Sequence, residues 1–275
     1  FEVHQFKEYI GLGVGKYIAK LCATLGWEER PHPKNNSNAP LSGEILKEID
    51  VTGKGPVGTS PEGLSIRKEF GFNYRFLLGA LVYCGVIVRV DIAYSLGLLS
   101  RFAEYPARIH YIGLKSVLRY LRDTKDWMLI YWRKEPMDNL PSGPFQPIDE
   151  PDDCEYKYPS DPFLISADVD SSHANCKLTR RSTGGHNIML GATSVLWSSK
   201  LQQLVSLSST EAEFYQAVTC CKAVIWLRHI MNEIGRPQLA PSPVNEDNAA
   251  AIMMINQRRP TSRTRHMEYQ WYAIQ

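Results

Sequence analysis

Between Lys134 and Pro162 the chain holds seven prolines and eight acidic residues, with neither a helical nor a strand period. Proline removes backbone donors and like charges repel, so this stretch cannot form the interior of a packed layer. It reads as an acidic, Pro-rich linker that divides the 275 residues into segments 1–133 and 163–275. Each segment must then bury a core of its own. The composition permits that: 44% hydrophobic and 22% charged residues are globular values and exclude wholesale disorder. A net charge of +2 is too small to announce a nucleic-acid binder through bulk electrostatics.

Membrane and secretory readings find no support. The longest apolar run, Phe76 to Val88, is thirteen residues, short of the roughly 20 that span a bilayer. The chain opens Phe-Glu-Val-His, with no initiator Met and no basic-apolar leader, and reads as a piece of something longer. Its six cysteines lack CxxC spacing, which favours reduced thiols and an intracellular setting over a disulfide framework or zinc finger.

Within the first segment, Arg30 to Gly63 is rich in Pro, Gly, Asn and Ser and reads as a loop. Tyr94, Leu98 and Phe102, then Leu114, Leu118 and Leu121, recur at helical spacing, so residues 73–125 are expected to form two or three packed helices. Trp127 to Arg133 alternates and predicts a strand. Beyond the linker the pattern changes to an α/β order. Phe163–Asp170, His186–Leu190 and Ser194–Ser198 predict three strands. Ser208 and Glu211 then form a capping box that opens a long helix, with Val218, Ile225, Leu227, Ile230 and Ile234 as its apolar side. Gly235 and Pro237 stop it. Val244–Asp247 predicts a fourth strand and Asn248–Asn256 a second helix.

Several familiar chemistries fail on spacing. Gly11, Gly13, Gly15 and Lys16 suggest a phosphate loop, but position 10 is Ile and Tyr17 follows the lysine, so a flexible turn is expected. No G-x-S-x-G elbow occurs, and His173 with Cys176 supplies only two metal ligands. Asp170, Glu213 and Asp247 remain. They are predicted at a strand end, in the first turn of the long helix and at another strand end. Carboxylates so placed can converge, and hard oxygen ligands suit magnesium.

Six short motifs in one order add to this reading: Thr179-Arg-Arg-Ser-Thr-Gly184, Trp197-Ser-Ser-Lys200, Leu207-Ser-Ser-Thr-Glu-Ala-Glu-Phe214, Ile225-Trp-Leu-Arg228, Glu246-Asp-Asn248 and Arg263-Thr-Arg-His266. Together they resemble the ribonuclease H region of copia-type retrotransposon Pol polyproteins. Tyr74-Arg-Phe-Leu-Leu-Gly-Ala80, Arg89-Val-Asp-Ile-Ala-Tyr94, Leu99-Ser-Arg-Phe102 and Leu118-Arg-Tyr-Leu121 resemble the end of the reverse transcriptase in the same family.

The resemblance implies a ribonuclease H-like mixed sheet with flanking helices over 163–275, preceded by a mainly helical thumb or connection segment over 1–133. It implies Mg2+-dependent (or Mn2+-dependent) cleavage of RNA in an RNA–DNA hybrid, with the remainder of the Pol polyprotein as a further partner. Asp170, ten residues before Arg180, matches the family's first catalytic Asp; the second Asp of that D-x-D motif is Ser172 here and its Trp is His173. Glu213 matches the catalytic Glu, and Asp247 the Asp of the family's C-D-N motif. A fourth acid is expected past the R-T-K-H motif, whereas the sequence stops at Gln275, and no Tyr-x-Asp-Asp polymerase signature occurs. Arg180, Arg181, Arg258, Arg259, Arg263 and Arg265 are the expected phosphate contacts, and Arg101, Arg108, Lys115, Arg119 and Arg122 resemble a basic thumb surface. The alternative is a catalytically inactive retroelement remnant that at most binds nucleic acid.

Overall fold

The computed structural model describes residues 1–27, 39–132 and 163–257. The linker predicted at 134–162 lies outside the described residues. The chain divides into two compact units: Phe1–His4 with Gly11–Leu129 and Cys176–Thr179, and Gln5–Ile10 with Ile130–Asn175 and Arg180–Gln275. The described residues are mixed α/β, with two sheets and eight α-helices.

Strands β1 (Glu2–Gln5), β2 (Tyr9–Gly13) and β3 (Leu129–Trp132) form a three-stranded sheet in that order. The glycines expected to make a flexible turn instead end β2 and begin helix α1 (Gly15–Thr24). Gly11 lets the strand pass Met128, whose Sδ would lie 3.0 Å from an added Cβ. The stretch expected to be a loop before residue 63 carries helix α2 (Gly43–Thr52) and the start of α3 (Pro61–Phe70). Local capping explains what composition obscured: Ser42 accepts from the Ile45 N–H and Ser60 from the Gly63 N–H.

Helices α4 (Tyr74–Ile87), α5 (Ala93–Ser100) and α6 (Arg108–Asp123) form the expected helical block. Leu77, Leu81, Leu99, Leu114, Leu118 and Leu121 are its fully buried centre. Arg89, 2% exposed, joins that core only because its charge is fully engaged. Its guanidinium makes two bonds to Asp91 (2.9 and 2.6 Å) and one to the Thr124 carbonyl (3.0 Å). No single helix among the described residues is long and apolar enough to cross a membrane.

The second unit holds a four-stranded sheet of β4 (Ile165–Ser172), β5 (Thr183–Leu190), β6 (Thr193–Leu201) and β7 (Val244–Asn245). The spatial order is β6–β5–β4–β7; β4, β5 and β6 run antiparallel, and β7 pairs with β4 in parallel. Helix α7 (Ser209–Glu233) connects β6 to β7, and α8 (Ala249–Asn256) follows. This is the order of strands and helices that the sequence predicts.

Alternation along β4 sends Ile165, Ala167 and Val169 inward, where they meet Cys220, Val224, Leu227 and Met231 of α7. Those four helical residues recur every three or four positions, one continuous stripe. The predicted apolar side was partly wrong. Val218 and Leu227 are buried, but Ile225 and Ile234 are 46% and 64% exposed, because the stripe is set by contact with the sheet rather than by residue type. Phe214 and Val218 face sideways to Met254, which seats α8 on α7.

Candidate metal-binding acidic site

Two features of α7 bring Glu213 to the sheet. Ser208 caps the helix, its Oγ accepting from the Glu211 N–H at 3.1 Å. Glu211 reaches back one residue further than the expected capping box, its carboxylate accepting from the Leu207 N–H at 2.7 Å. The cap thereby fixes where α7 starts, and Glu213 falls in the second turn rather than the first. From there it lies on the same stripe as Cys220 and Val224, against the end of β4. Glu213 is 5% exposed, and one carboxylate oxygen accepts the Ser171 backbone N–H. Its other oxygen, Oε2, is buried with no hydrogen-bond partner.

Asp170 is the exposed neighbour of Ser171, near the C-terminal end of β4 and opposite Gly185. Strand β7 runs parallel to β4, so its C-terminal end emerges on the same side of the sheet, and Glu246 and Asp247 follow it directly. The Asn248 side chain caps α8 by accepting from the N–H groups of Ala250 and Ala251, both at 3.0 Å. That cap holds the turn in which Glu246 Oε1 accepts the Asn248 N–H at 3.0 Å, while Glu246 Oε2 is buried and unpartnered. The sheet end thus gathers Asp170, Glu213, Glu246 and Asp247.

The electrostatics follow from this crowding. Burial pushes the Glu213 carboxyl up to about 8, and the charges of Glu246, Asp170 and Asp247 push in the same direction; the Ser171 N–H opposes them. Glu246 is also raised, first by burial and then by Asp247 and Asp170, with the Asn248 N–H pulling it down. The three acids expected from the sequence are therefore brought into one electrostatic neighbourhood. They do not form a finished cage: among the described residues no three His, Cys, Asp or Glu side chains converge tightly enough to hold a metal ion. Two buried carboxylate oxygens without a donor nonetheless suit a cation, since such an oxygen needs either a proton or a metal.

Glu246 was missed. Its signal was an extra acid directly before Asp247, where the family motif has Cys, and motif matching passed over it.

The predicted phosphate contacts divide. Arg180 and Arg181 are exposed in the connection between β4 and β5, at the same end of the sheet as the acids. Arg180 has φ +56, in the left-handed region that non-glycine residues rarely occupy. The connection is held by the Ala174 N–H donating to Ser182 Oγ at 3.0 Å and Thr183 Oγ1 donating to Asn175 Oδ1 at 2.8 Å. Arg258, Arg259, Arg263 and Arg265 lie outside the described residues. In the helical block the expected basic surface is partly engaged within the fold. Arg108 pairs with Glu69 at 2.7 Å, Arg122 with Asp123 at 2.8 Å, and Lys115 stacks over Phe70 and Trp27.

The chain is similar to several known proteins. Over 201 residues, 73% of this chain, it is 31% identical to the retrovirus-related Pol polyprotein from transposon TNT 1-94 of Nicotiana tabacum. Over 202 residues, 74% of this chain, it is 26% identical to that of transposon RE2 from Arabidopsis thaliana. The chain covers only 13% and 12% of these two proteins. A shorter relative, the secreted RxLR effector protein 161 of Plasmopara viticola, is 32% identical over 154 residues, 56% of this chain and 90% of that protein. No family model and no solved structure matches. These relatives make the chain a retroelement-related protein. More particularly, the relatives to which it is similar over about three quarters of its length are retrovirus-related Pol polyproteins of copia-type transposons.

Proposed function

We propose that residues 163–275 are a ribonuclease H-type domain of a larger Pol polyprotein and hydrolyse the RNA strand of an RNA–DNA hybrid. One observation carries the reading: Asp170, Glu213 and Asp247 come from two parallel strand ends and the crossover helix to a single sheet end, where Glu213 keeps a buried, unpartnered carboxylate oxygen. Three antiparallel strands with a fourth parallel to the first support a ribonuclease H-like fold. The preceding segment, 1–133, is proposed as the end of the reverse transcriptase, and 134–162 as the linker.

The roles follow from placement. Asp170, Glu213 and Asp247 would hold Mg2+, or Mn2+ in its place. When bound, divalent ions supply activation of water at neutral pH and stabilisation of the leaving oxygen. Glu213 is fixed by the Ser171 N–H, so one oxygen is oriented and the other is left for a cation. Arg180 and Arg181 bind hybrid phosphates from the adjacent connection, joined by Arg258, Arg259, Arg263 and Arg265. Selectivity then rests on the A-like shape and 2′-hydroxyls of the hybrid rather than on base sequence.

The test is cleavage of a labelled RNA–DNA hybrid by the full chain in Mg2+ or Mn2+. Asp170→Asn, Glu213→Gln and Asp247→Asn are each expected to lower the rate by about a hundredfold or more, on the scale of removing a principal electrostatic stabiliser. Equal rates for the wild type and Asp170→Asn would refute the assignment. A second reading, an inactive remnant that at most binds nucleic acid, is favoured by the lack of a converged set of three ligands among the described residues and by Ser172 in the D-x-D position. It predicts hybrid binding without cleavage in the same assay.

A further inference from the structure

Two cavities within the first unit have no task in the hydrolase reading. One, of about 550 Å3, opens between the end of α1, helix α3 and the first turn of α4. The other, of about 240 Å3, is walled by the segments at 57–59 and 103–106. Leu64, Arg67 and Asn73 line both, so the two adjoin as one groove. Val57, Leu64 and Phe76 stand exposed along it, although side chains of this kind are ordinarily buried. Arg67, Lys68 and Arg75 line it too, and none of the three is in an ion pair among the described residues. One described acid, Glu104, faces the same space. The walls are held from behind. The Tyr74 hydroxyl donates to the Leu99 carbonyl at 2.8 Å, Arg75 Nε to the Ala103 carbonyl at 2.9 Å, and the Gly58 N–H to the Glu104 carbonyl at 3.0 Å. A ligand would therefore meet a preformed surface and lose little affinity to ordering it.

We propose that this groove docks an acidic, apolar peptide segment of a protein partner, with carboxylates on Arg67, Lys68 and Arg75 and aliphatic or aromatic side chains against Val57, Leu64 and Phe76. Charge complementarity selects the occupant: three cations against a single acid favour an anionic ligand. Guanidinium forks match carboxylates, and basic clusters recognising acidic motifs are a recurring mode of peptide capture. The apolar walls narrow the choice further. Val57 and Leu64 are aliphatic and offer no stacking face for a base, which leaves Phe76 as the exposed ring of the groove. A nucleic-acid strand carries a phosphate at every nucleotide and would run charge past Glu104, whereas a peptide can place an uncharged residue there. Apolar contact then supplies the part of the affinity that salt does not screen, and the cations supply selectivity.

The experiment is fluorescence anisotropy of a labelled synthetic peptide that alternates Asp or Glu with Phe or Leu, titrated with the full chain at low salt. One control peptide carries Asn and Gln in place of the acids, and another carries Ser in place of Phe and Leu. The alternating peptide should bind saturably and weaken as salt is raised, and each control should bind about tenfold more weakly. Arg67→Gln combined with Lys68→Gln, and Leu64→Ser combined with Phe76→Ser, should each raise the dissociation constant by about tenfold. Arg67→Lys combined with Lys68→Arg should retain binding. All four positions are exposed, and every variant is checked for the wild-type cooperative melt; either pair that keeps it carries the test. No binding of the alternating peptide to the wild type overturns the proposal, as does equal binding of either control or binding that both variant pairs leave unchanged. Tighter binding of single-stranded oligothymidylate, lost in the Arg67→Gln and Lys68→Gln pair, would overturn it in favour of nucleic acid.

Discussion

Glu213 offers a prediction whose sign and size come from the structure. Its carboxyl is pushed from the ordinary value of 4.5 to about 8, so the native state holds a proton that the unfolded chain releases. Native proton binding in excess of the unfolded state means that stability is greatest below about 4.5 and is lost as pH rises through about 8. At about 1.4 kcal/mol per tenfold change, the ceiling on this loss between pH 5 and 9 is about 4 kcal/mol. Water reaching the neighbouring exposed aspartates screens part of it, leaving roughly 1–3 kcal/mol. Glu213→Gln keeps the shape and removes the charge. The assay is urea unfolding of the full chain in chelator at pH 5 and pH 9, wild type beside variant. The variant should gain about 1–3 kcal/mol relative to the wild type between the two pH values. Mg2+ added at the higher pH should stabilise the wild type and leave the variant unmoved. A difference that stays constant with pH, or one that shrinks as pH rises, would refute the reasoning.

Other outcomes follow from the same geometry. Gly184→Ala should destabilise the second unit by about 1–3 kcal/mol, since an added Cβ would meet the Gln216 side chain, which is buried and bonded to His186 Nδ1 at 3.0 Å; thermal unfolding measures it. Arg228 bonds to the carbonyls of Gln238 and Ala240 and to Ser242 Oγ, holding the segment that leads into β7. Arg228→Met should cost about 1.5–3 kcal/mol and accelerate amide exchange around Asn245, read by mass spectrometry. Phe214→Ala, at the fully buried contact of α7 with α8, should cost about 3–5 kcal/mol in a urea titration. His110 is fully buried, its Nδ1 accepts the Ala107 N–H, and burial lowers its pKa from 6.5 to about 4. Its contribution is present above about 6.5 and lost as pH falls through about 4, so His110→Gln should make the acid limb of the stability profile shallower.

What could be read without coordinates was whatever short-range physics encodes. Ser208 and Glu211 announced α7 because capping involves residues three or four apart. Alternation announced β4, and the leucine spacing announced the helical block. Asp170, Glu213 and Asp247 were found by ordered motifs, not by spacing alone. The helices α2 and α3 were hidden because Gly, Pro and Ser are both loop formers and helix-boundary residues, and Ser42 and Ser60 here act as caps. The exposure of Ile225 and Ile234 was equally hidden, since a helix has several apolar rows and only a neighbour selects one of them.

The sequence by itself determined the order of the elements and the residue types that can carry metal chemistry, because both are written in local periodicity and in motif. Tertiary structure alone decided which acids come together at one end of the sheet. The parallel pairing of β7 with β4 is a contact between residues 77 apart, Ala167 with Val244. It is that pairing, together with the seat of α7 on β4, that puts Glu246 beside Glu213 and leaves a buried oxygen of each without a donor. Desolvation and charge crowding act through space, so the properties of these carboxylates exist only once the sheet has formed.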